Sequence, residues 1–223
     1  RFGKSLLVST LEAYFQGKKD LFRGLAMERL EQDWESYPVL HIDFSISKYL
    51  SAHYLRSAIN WFLERWEREY GCCVEDKKGT PFSVQLGNVI ESAYKKTGKA
   101  VVVLVDEYDS PMLDTNSDVA LQGELRGIMR DFFSPLKGMG QYLRFLFITG
   151  ISKFSQMSIF SELNNLQNIS MRDDFSAICG TPEEALAQID SKQYAVPYQA
   201  DGRRVVKVGV NFDSATRTIG EWI

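Results

Sequence analysis

Residues 100–109 read AVVVLVDEYD, and no other part of the sequence predicts as much about the architecture. Residues 100–105 are all apolar, four of them are valine, and Asp106 and Glu107 follow without a break. A strand that is apolar along its whole length is typical of a parallel sheet, because both of its faces are buried. We therefore predict a central parallel strand that ends in two carboxylates.

Two further stretches predict strands, residues 38–44 (PVLHIDF), which end close to an acid, and residues 142–148 (YLRFLFI). Apolar residues at helical spacing predict helices around these strands. The predicted helices cover about residues 6–15, 54–70, 83–96 and 119–133. Strands that alternate with helices indicate an α/β fold with a mainly parallel sheet between helices.

The C-terminal part of the sequence has a different pattern. Residues 200–203 (ADGR) are typical of a turn, residues 204–212 (RVVKVGVNF) alternate in polarity, and a short segment then reaches Trp222. Alternation over a few residues indicates a strand with only one buried face. We therefore predict a short antiparallel hairpin here and not another strand–helix–strand unit.

Gly3, Lys4 and Ser5 form the end of the phosphate-loop pattern G-x-x-x-x-G-K-[ST], just before the first predicted helix. In such a loop the backbone N–H groups bind phosphate oxygens, the lysine reaches the β- and γ-phosphates, and the hydroxyl binds Mg²⁺. The tripeptide alone is weak evidence, since about one chain in ten of this size contains it by chance. The alternative is a capped helix start with a surface lysine.

Asp106, Glu107 and Thr149 supply the other parts of a nucleotide site. An acidic pair after a buried strand is what a phosphate-loop ATPase needs, with Asp106 orienting Mg²⁺ and Glu107 polarising the attacking water. Thr149 follows the next predicted strand, where its hydroxyl is placed to sense the γ-phosphate. The alternatives are that Asp106 caps the following segment and that Thr149 satisfies a turn.

The order of these elements along the chain favours nucleotide binding, because a phosphate-loop fold requires the same order. The predicted site combines catalytic residues, nucleotide-binding residues and metal ligands. The predicted catalytic residues are Glu107 and Thr149. The predicted nucleotide-binding residues are Gly3, Lys4, Ser5 and Asp106, and of these Ser5 and Asp106 are also the predicted metal ligands.

The composition argues against several other classes of protein. The 223 residues carry a net charge of -3, so no basic excess indicates nucleic-acid binding. Three cysteines without a C-x-x-C pair and only two histidines argue against a zinc site and a disulfide framework. No apolar run has the length of a membrane span and no signal peptide opens the sequence. We therefore expect a protein of the reducing cytoplasm that does not enter a membrane.

Longer motifs surround the predicted site residues. They are RFGKSLL at residues 1–7, LEAYF at residues 11–15, VDEYD at residues 105–109, TGISKF at residues 149–154 and IFSELNNL at residues 159–166. Together they resemble the N-terminal domain of the AAA-ATPase-like family, over about residues 1–182. The resemblance implies a phosphate-loop domain that binds ATP and Mg²⁺ and serves as a switch or regulatory ATPase.

In that family a PD-(D/E)XK nuclease-like domain usually follows the ATPase domain. Residues 183–223 resemble only the closing stretch of such a domain, and the acidic core expected before Gln188 is missing from the sequence. We therefore expect an internal deletion near Glu184 and no nuclease activity. The family's phosphate loop also begins several residues earlier, after a strand. We expect this chain to lack that strand and the start of the loop, with its remaining strands paired with one another.

The expected function is ATP binding, with Mg²⁺-dependent hydrolysis by a regulatory phosphate-loop domain. Two alternatives from other classes stay open: the ATPase part of a nucleic-acid-processing nuclease protein, and a decayed interaction module without catalysis. The expected partners are a nucleotide and either another protein or a second copy of the chain. Nucleic acid is expected only through a complete nuclease-like domain.

Overall fold

The computed structural model describes residues 3–72, 76–77, 79–115, 118–150, 166–169, 175, 210–213 and 218–222. The chain divides into two compact units. The larger is Val8–Leu166, and the smaller combines Arg1–Leu7 with Gln167–Ile223. The larger unit contains the predicted sheet, and the smaller contains the predicted hairpin.

A three-stranded parallel sheet, in the order β1-β2-β3, lies at the centre of the larger unit. Its strands are β1 (Val39–Asp43), β2 (Val101–Asp106) and β3 (Leu143–Ile148). Asp43 stands in register with Asp106, so the carboxyl ends of β1 and β2 lie side by side. The fold is α/β with a parallel sheet, and its strands are the three that the sequence predicts.

The described residues form six α-helices: α1 (Lys4–Phe15), α2 (Ala26–Leu30), α3 (Ala52–Tyr70), α4 (Phe82–Thr97), α5 (Ser110–Leu113) and α6 (Val119–Phe133). Short 3₁₀ helices occupy Lys19–Phe22, Phe44–Ile46, Ser134–Lys137 and Gly140–Tyr142. The four longest α-helices match the predicted ones to within a few residues. Helices α2 and α5 were not predicted, because four or five residues are too few to show helical periodicity. Within the same described ranges, no helix is both long and apolar enough to cross a membrane.

Helices α3, α4 and α6 cover one face of the sheet. On this side Val101, Val103 and Val105 of β2 are fully buried. The helices contribute apolar residues that recur every three or four positions, which places one face of each helix against the sheet. These residues include Leu55, Ile59, Phe62, Leu63 and Trp66 of α3, Leu86, Val89 and Ile90 of α4, and Leu125, Met129 and Phe132 of α6.

Helix α1 covers the opposite face of the sheet. Val102 and Leu104 of β2 form a second apolar cluster with Val8 and Phe15 of α1 and with Val39 of β1. Successive side chains of a strand point to opposite faces, so a strand that is apolar throughout needs an apolar layer on each side. The two clusters supply these layers, as the sequence of β2 predicts.

A carboxylate of α6 caps the beginning of α4. Asp131 accepts a hydrogen bond from the Ser83 hydroxyl at 2.7 Å and another from the Phe82 N–H group at 3.0 Å. The first N–H groups of a helix have no partner within the helix, and a negative charge near them is favourable. Asp131 therefore satisfies the start of α4 and ties it to α6 by polar contacts as well as by apolar packing.

The smaller unit contains an antiparallel hairpin of two strands, β4 (Val210–Asp213) and β5 (Thr218–Trp222). The register pairs Val210 with Trp222 and Asp213 with Thr218. An antiparallel hairpin near the end of the chain is confirmed, but both of its strands come after residues 200–203, so the predicted turn is not the one that joins them. The predicted turn at residues 200–203 lies outside the described residues.

The burial of β2 leads to a test of stability. Leu104 is 0% exposed, so Leu104→Ala leaves a cavity against α1 and is expected to lower the free energy of unfolding by about 2–5 kcal/mol. Leu30 is 77% exposed, and Leu30→Ala is expected to change it by less than about 0.5 kcal/mol. Urea unfolding followed by circular dichroism measures both. Equal losses in the two variants would contradict a core centred on β2.

Candidate functional site

The carboxyl ends of β2 and β3 bring Asp106 and Thr149 together. Asp106 is the last residue of β2, and Thr149 follows the last residue of β3. Both side chains are buried, with exposed fractions of 3% and 7%. The Thr149 hydroxyl donates a hydrogen bond to Asp106 Oδ1. The structure thus joins the predicted metal-binding acid to the predicted γ-phosphate sensor by a direct contact.

The backbone of Thr149 holds the turn that follows β2. Its N–H group donates to the carbonyl of Val105 at 2.8 Å, and its carbonyl accepts from the N–H group of Tyr108 at 3.0 Å. These two bonds continue the pairing of β2 with β3 beyond the strand ends. Together with the hydroxyl bond to Asp106, they give Thr149 three hydrogen bonds to residues 105–108.

Glu107 lies at the centre of this turn and has an unusual backbone conformation. Its φ angle is +49°, in the left-handed region that residues other than glycine seldom adopt. Such a conformation costs on the order of 1–3 kcal/mol and persists where the surrounding structure imposes it. Here the Glu107 N–H group donates to Asp106 Oδ1 at 3.0 Å, and the residues on both sides are bound to Thr149. Strain of this kind often accompanies functional residues.

Gly150 packs directly against the acidic turn. A Cβ atom at this position would collide with the ring of Tyr108 and would lie 2.7 Å from Asp109 Oδ1. Only glycine leaves room for this approach. The pair Thr149–Gly150 therefore fits the turn in two ways, since its first residue binds the backbone and its second lets the Tyr108 ring pack closely.

Tyr108 and Asp109 follow Glu107 directly in the chain. Both are buried, with exposed fractions of 3% and 0%. Burial, followed by the nearby charge of Asp109, raises the pKa of the Tyr108 phenol to about 12. The phenol is neutral near pH 7, so Tyr108 packs against Gly150 as an uncharged ring.

Gly3, Lys4 and Ser5 begin helix α1. Gly3 has a φ angle of +85°, which glycine adopts readily, and its carbonyl accepts the N–H group of Leu7 at 2.7 Å. A glycine of this conformation just before a helix, followed by an ammonium and a hydroxyl, suits the binding of phosphate and Mg²⁺. Asp106 suits Mg²⁺ as well, because this ion takes oxygen ligands and usually one or two carboxylates. That these three residues share a site with Asp106 stays a prediction.

Two residues at this edge of the sheet were not included in the predicted site. Asp43 ends β1 in register with Asp106, and its Oδ1 accepts the N–H group of Ser45 at 2.8 Å. Ser110 begins α5, and its hydroxyl donates to Glu107 Oε2 at 3.0 Å. The acid at the end of β1 is visible in the sequence, but its register with Asp106 is not. No motif marks Ser110.

A cavity of about 190 Å³ lies elsewhere in the larger unit. Its lining includes Tyr14, Glu31, Tyr37 and Arg144. Tyr37 precedes β1 and Arg144 is near the start of β3, so the cavity is at the amino-terminal edge of the sheet. None of the predicted site residues lines it. The arrangement of Asp106, and not this cavity, agrees with the chemistry that the sequence predicts.

The parallel sheet, the buried acid at the end of β2 and the hydroxyl after β3 define an α/β unit of the phosphate-loop NTPase-like class. The chain belongs to the family described as "Predicted AAA-ATPase", whose model matches residues 1–160. A second model, described as "PD-(D/E)XK nuclease superfamily", matches residues 161–222. The predicted resemblance is therefore confirmed. The boundary that we predict at residue 182 stays a prediction.

The chain is also similar to a protein of Azotobacter chroococcum mcd 1 named "Uncharacterized protein in vnfD 5'region". The two are 38% identical over 184 residues, which cover 82% of this chain and 35% of the relative. The chain thus spans about a third of the length of the curated relative that it matches. No solved structure matches the chain.

The hydroxyl of Thr149 can be tested separately from its backbone. Thr149→Val removes one donor from a buried carboxylate and is expected to lower the free energy of unfolding by about 1–3 kcal/mol. Thr149→Ser keeps the donor and is expected to retain most of the stability. Urea unfolding of both variants measures the difference in their stability. A valine variant as stable as the serine variant would show that the bond to Asp106 contributes nothing.

The close approach of Gly150 predicts opposite effects for two identical substitutions. Gly150→Ala forces the Tyr108 ring aside and is expected to cost about 1–3 kcal/mol. Gly123→Ala, in α6, meets no atom within 4 Å and is expected to stabilise the protein by up to about 1 kcal/mol. Thermal unfolding measures both. A neutral Gly150→Ala would mean that Tyr108 and Thr149–Gly150 do not pack as one unit.

Proposed function

We propose that this chain binds ATP together with Mg²⁺ and hydrolyses it, as a regulatory ATPase. The observation that carries the proposal is the buried contact between Asp106 and Thr149, with Glu107 held beside it in a strained turn. Membership of a predicted ATPase family supports the nucleotide. A cytoplasmic location is part of the proposal and rests on the composition.

Each predicted residue has a defined task in this function. The Lys4 ammonium and the N–H groups at the start of α1 would bind the β- and γ-phosphates, while Ser5 and Asp106 would hold Mg²⁺. Bound Mg²⁺ supplies charge neutralisation on the phosphate oxygens. The Glu107 carboxylate would orient the attacking water and accept its proton.

Thr149 would connect these tasks. Its hydroxyl is bound to Asp106, and its backbone holds the residues on either side of Glu107. A γ-phosphate contact at this hydroxyl would therefore compete with the bond to the metal-binding acid. Such competition would make the acidic turn sensitive to the presence of the γ-phosphate, which is the property that a regulatory ATPase requires.

A second candidate function is the ATPase part of a nucleic-acid-processing protein. The match of residues 161–222 to a nuclease superfamily favours it. Nuclease activity of this chain is not proposed, because the acidic core expected before Gln188 is missing from the sequence. A third possibility, an interaction module without catalysis, is the outcome if the folded chain binds no nucleotide.

Titration calorimetry with Mg-ATP tests the binding. The full chain is expected to bind with a dissociation constant in the micromolar range, and Lys4→Ala is expected to weaken binding at least about tenfold, or about 1.4 kcal/mol. Lys19→Ala changes a lysine beyond the other end of α1 and should leave the affinity unaltered. The absence of binding by a folded wild-type chain would reject the proposed function.

Hydrolysis is tested by phosphate release. Glu107→Gln removes the proton acceptor but keeps a side chain of the same shape, so kcat is expected to fall about 100-fold or more while ATP still binds. Glu124→Gln changes an exposed acid of α6 and serves as the matched control. Equal rates for Glu107→Gln and the wild type would exclude Glu107 as the group that activates water.

A further inference from the structure

Ser110 is held against Glu107 at two points. Its hydroxyl donates to Glu107 Oε2 at 3.0 Å, and its N–H group donates to the Glu107 carbonyl at 3.0 Å. Ser110 is the first residue of α5 and is half-buried. The start of this short helix is therefore attached to both the backbone and the side chain of the predicted water-activating residue.

Hydrogen bonds from residues other than Ser110 also restrain the backbone around Glu107. Its N–H group is bound to Asp106, and Val105 and Tyr108 on either side are bound to Thr149. The remaining freedom of the carboxylate lies in its side-chain torsions. The bond from Ser110 restrains these torsions through Oε2, since a hydrogen bond selects one orientation of the carboxylate.

The other carboxylate oxygen of Glu107 is Oε1. Oε1 of Glu107 accepts no hydrogen bond from any residue that the structure describes. A base works best when a third group orients it toward its substrate, as in nucleophile–base–orienter arrangements. Ser110 has the chemistry of such a third group, because it binds one oxygen and leaves the other for water.

We propose that Ser110 is a positioning residue, whose hydroxyl holds the Glu107 carboxylate in the orientation that serves ATP hydrolysis. The inference rests on the proposed ATPase function. In the hydrolytic step, the water oxygen forms a bond to the γ-phosphorus, and the bond from this phosphorus to the bridging oxygen breaks, with its electron pair leaving on ADP. The water's proton passes to Glu107 Oε1 and then to the product phosphate.

A purely structural role is the competing explanation, because the same bond also supports the first turn of α5. The two roles differ in what they affect. If Ser110 positions Glu107, loss of its hydroxyl lowers kcat. If Ser110 only supports the fold, loss of its hydroxyl lowers stability and leaves kcat of the folded protein unchanged. Ser83 provides a matched control. It lies near the start of α4, and its hydroxyl also donates to a carboxylate, that of Asp131, at 2.7 Å.

The test compares Ser110→Ala, Ser110→Thr and Ser83→Ala in the full chain, by steady-state ATP hydrolysis and thermal unfolding. Ser110→Ala is expected to lower kcat about tenfold, with the KM for ATP changed less than about twofold. Ser110→Thr keeps the hydroxyl and is expected to retain kcat within about threefold. Ser83→Ala is expected to lower the midpoint of unfolding and leave kcat unaltered.

The possible outcomes separate this inference from the proposed function. If the wild-type chain hydrolyses ATP but Ser110→Ala has an unchanged or higher kcat, Ser110 does not position Glu107. If Ser110→Thr is as slow as Ser110→Ala, the hydroxyl is not the group that matters. If the folded wild-type chain turns over no ATP, the proposed ATPase is rejected and the role of Ser110 falls with it.

Discussion

Every side chain of β2, from Val101 to Asp106, is buried, and this burial decides where the polar end of the strand must find its partners. Apolar layers cover both faces of β2, so Asp106 finds its polar partners at the carboxyl edge of the sheet. A buried carboxylate without hydrogen bonds is costly. The Thr149 hydroxyl and the Glu107 N–H group satisfy Asp106, and the first of these bonds joins the carboxyl ends of β2 and β3.

The strained conformation of Glu107 follows from the same constraint. A left-handed glutamate costs on the order of 1–3 kcal/mol, while each intramolecular hydrogen bond contributes about 0.5–1.5 kcal/mol. The three bonds from Thr149 are therefore of the right size to hold the turn in place. The result is an acidic turn whose two carboxylates have different surroundings. Asp106 is buried and held by two donors, whereas Glu107 is half-buried and held through one oxygen.

The two family matches cover different parts of the chain. The match to the predicted ATPase family covers residues 1–160, where all of the proposed site residues lie. The match to the nuclease superfamily begins at residue 161, soon after Thr149–Gly150. None of the proposed site residues lines the cavity at the amino-terminal edge of the sheet.

The sequence determined the fold class, the three strands and the four long helices. Apolar periodicity and segment length are local properties, so they can be recognised without knowing which residues are in contact. The acids at the end of β2 and the hydroxyl after β3 could also be predicted, since they stand next to strongly apolar runs. The contacts among these residues came from the tertiary structure. The register of Asp43 with Asp106, the bond from Ser110 to Glu107 and the approach of Gly150 to Tyr108 all depend on how chain segments pack in space. The left-handed Glu107 is the clearest case, because local sterics disfavour it, and the bonds that hold its neighbours in place come partly from Thr149, about forty residues further along the chain.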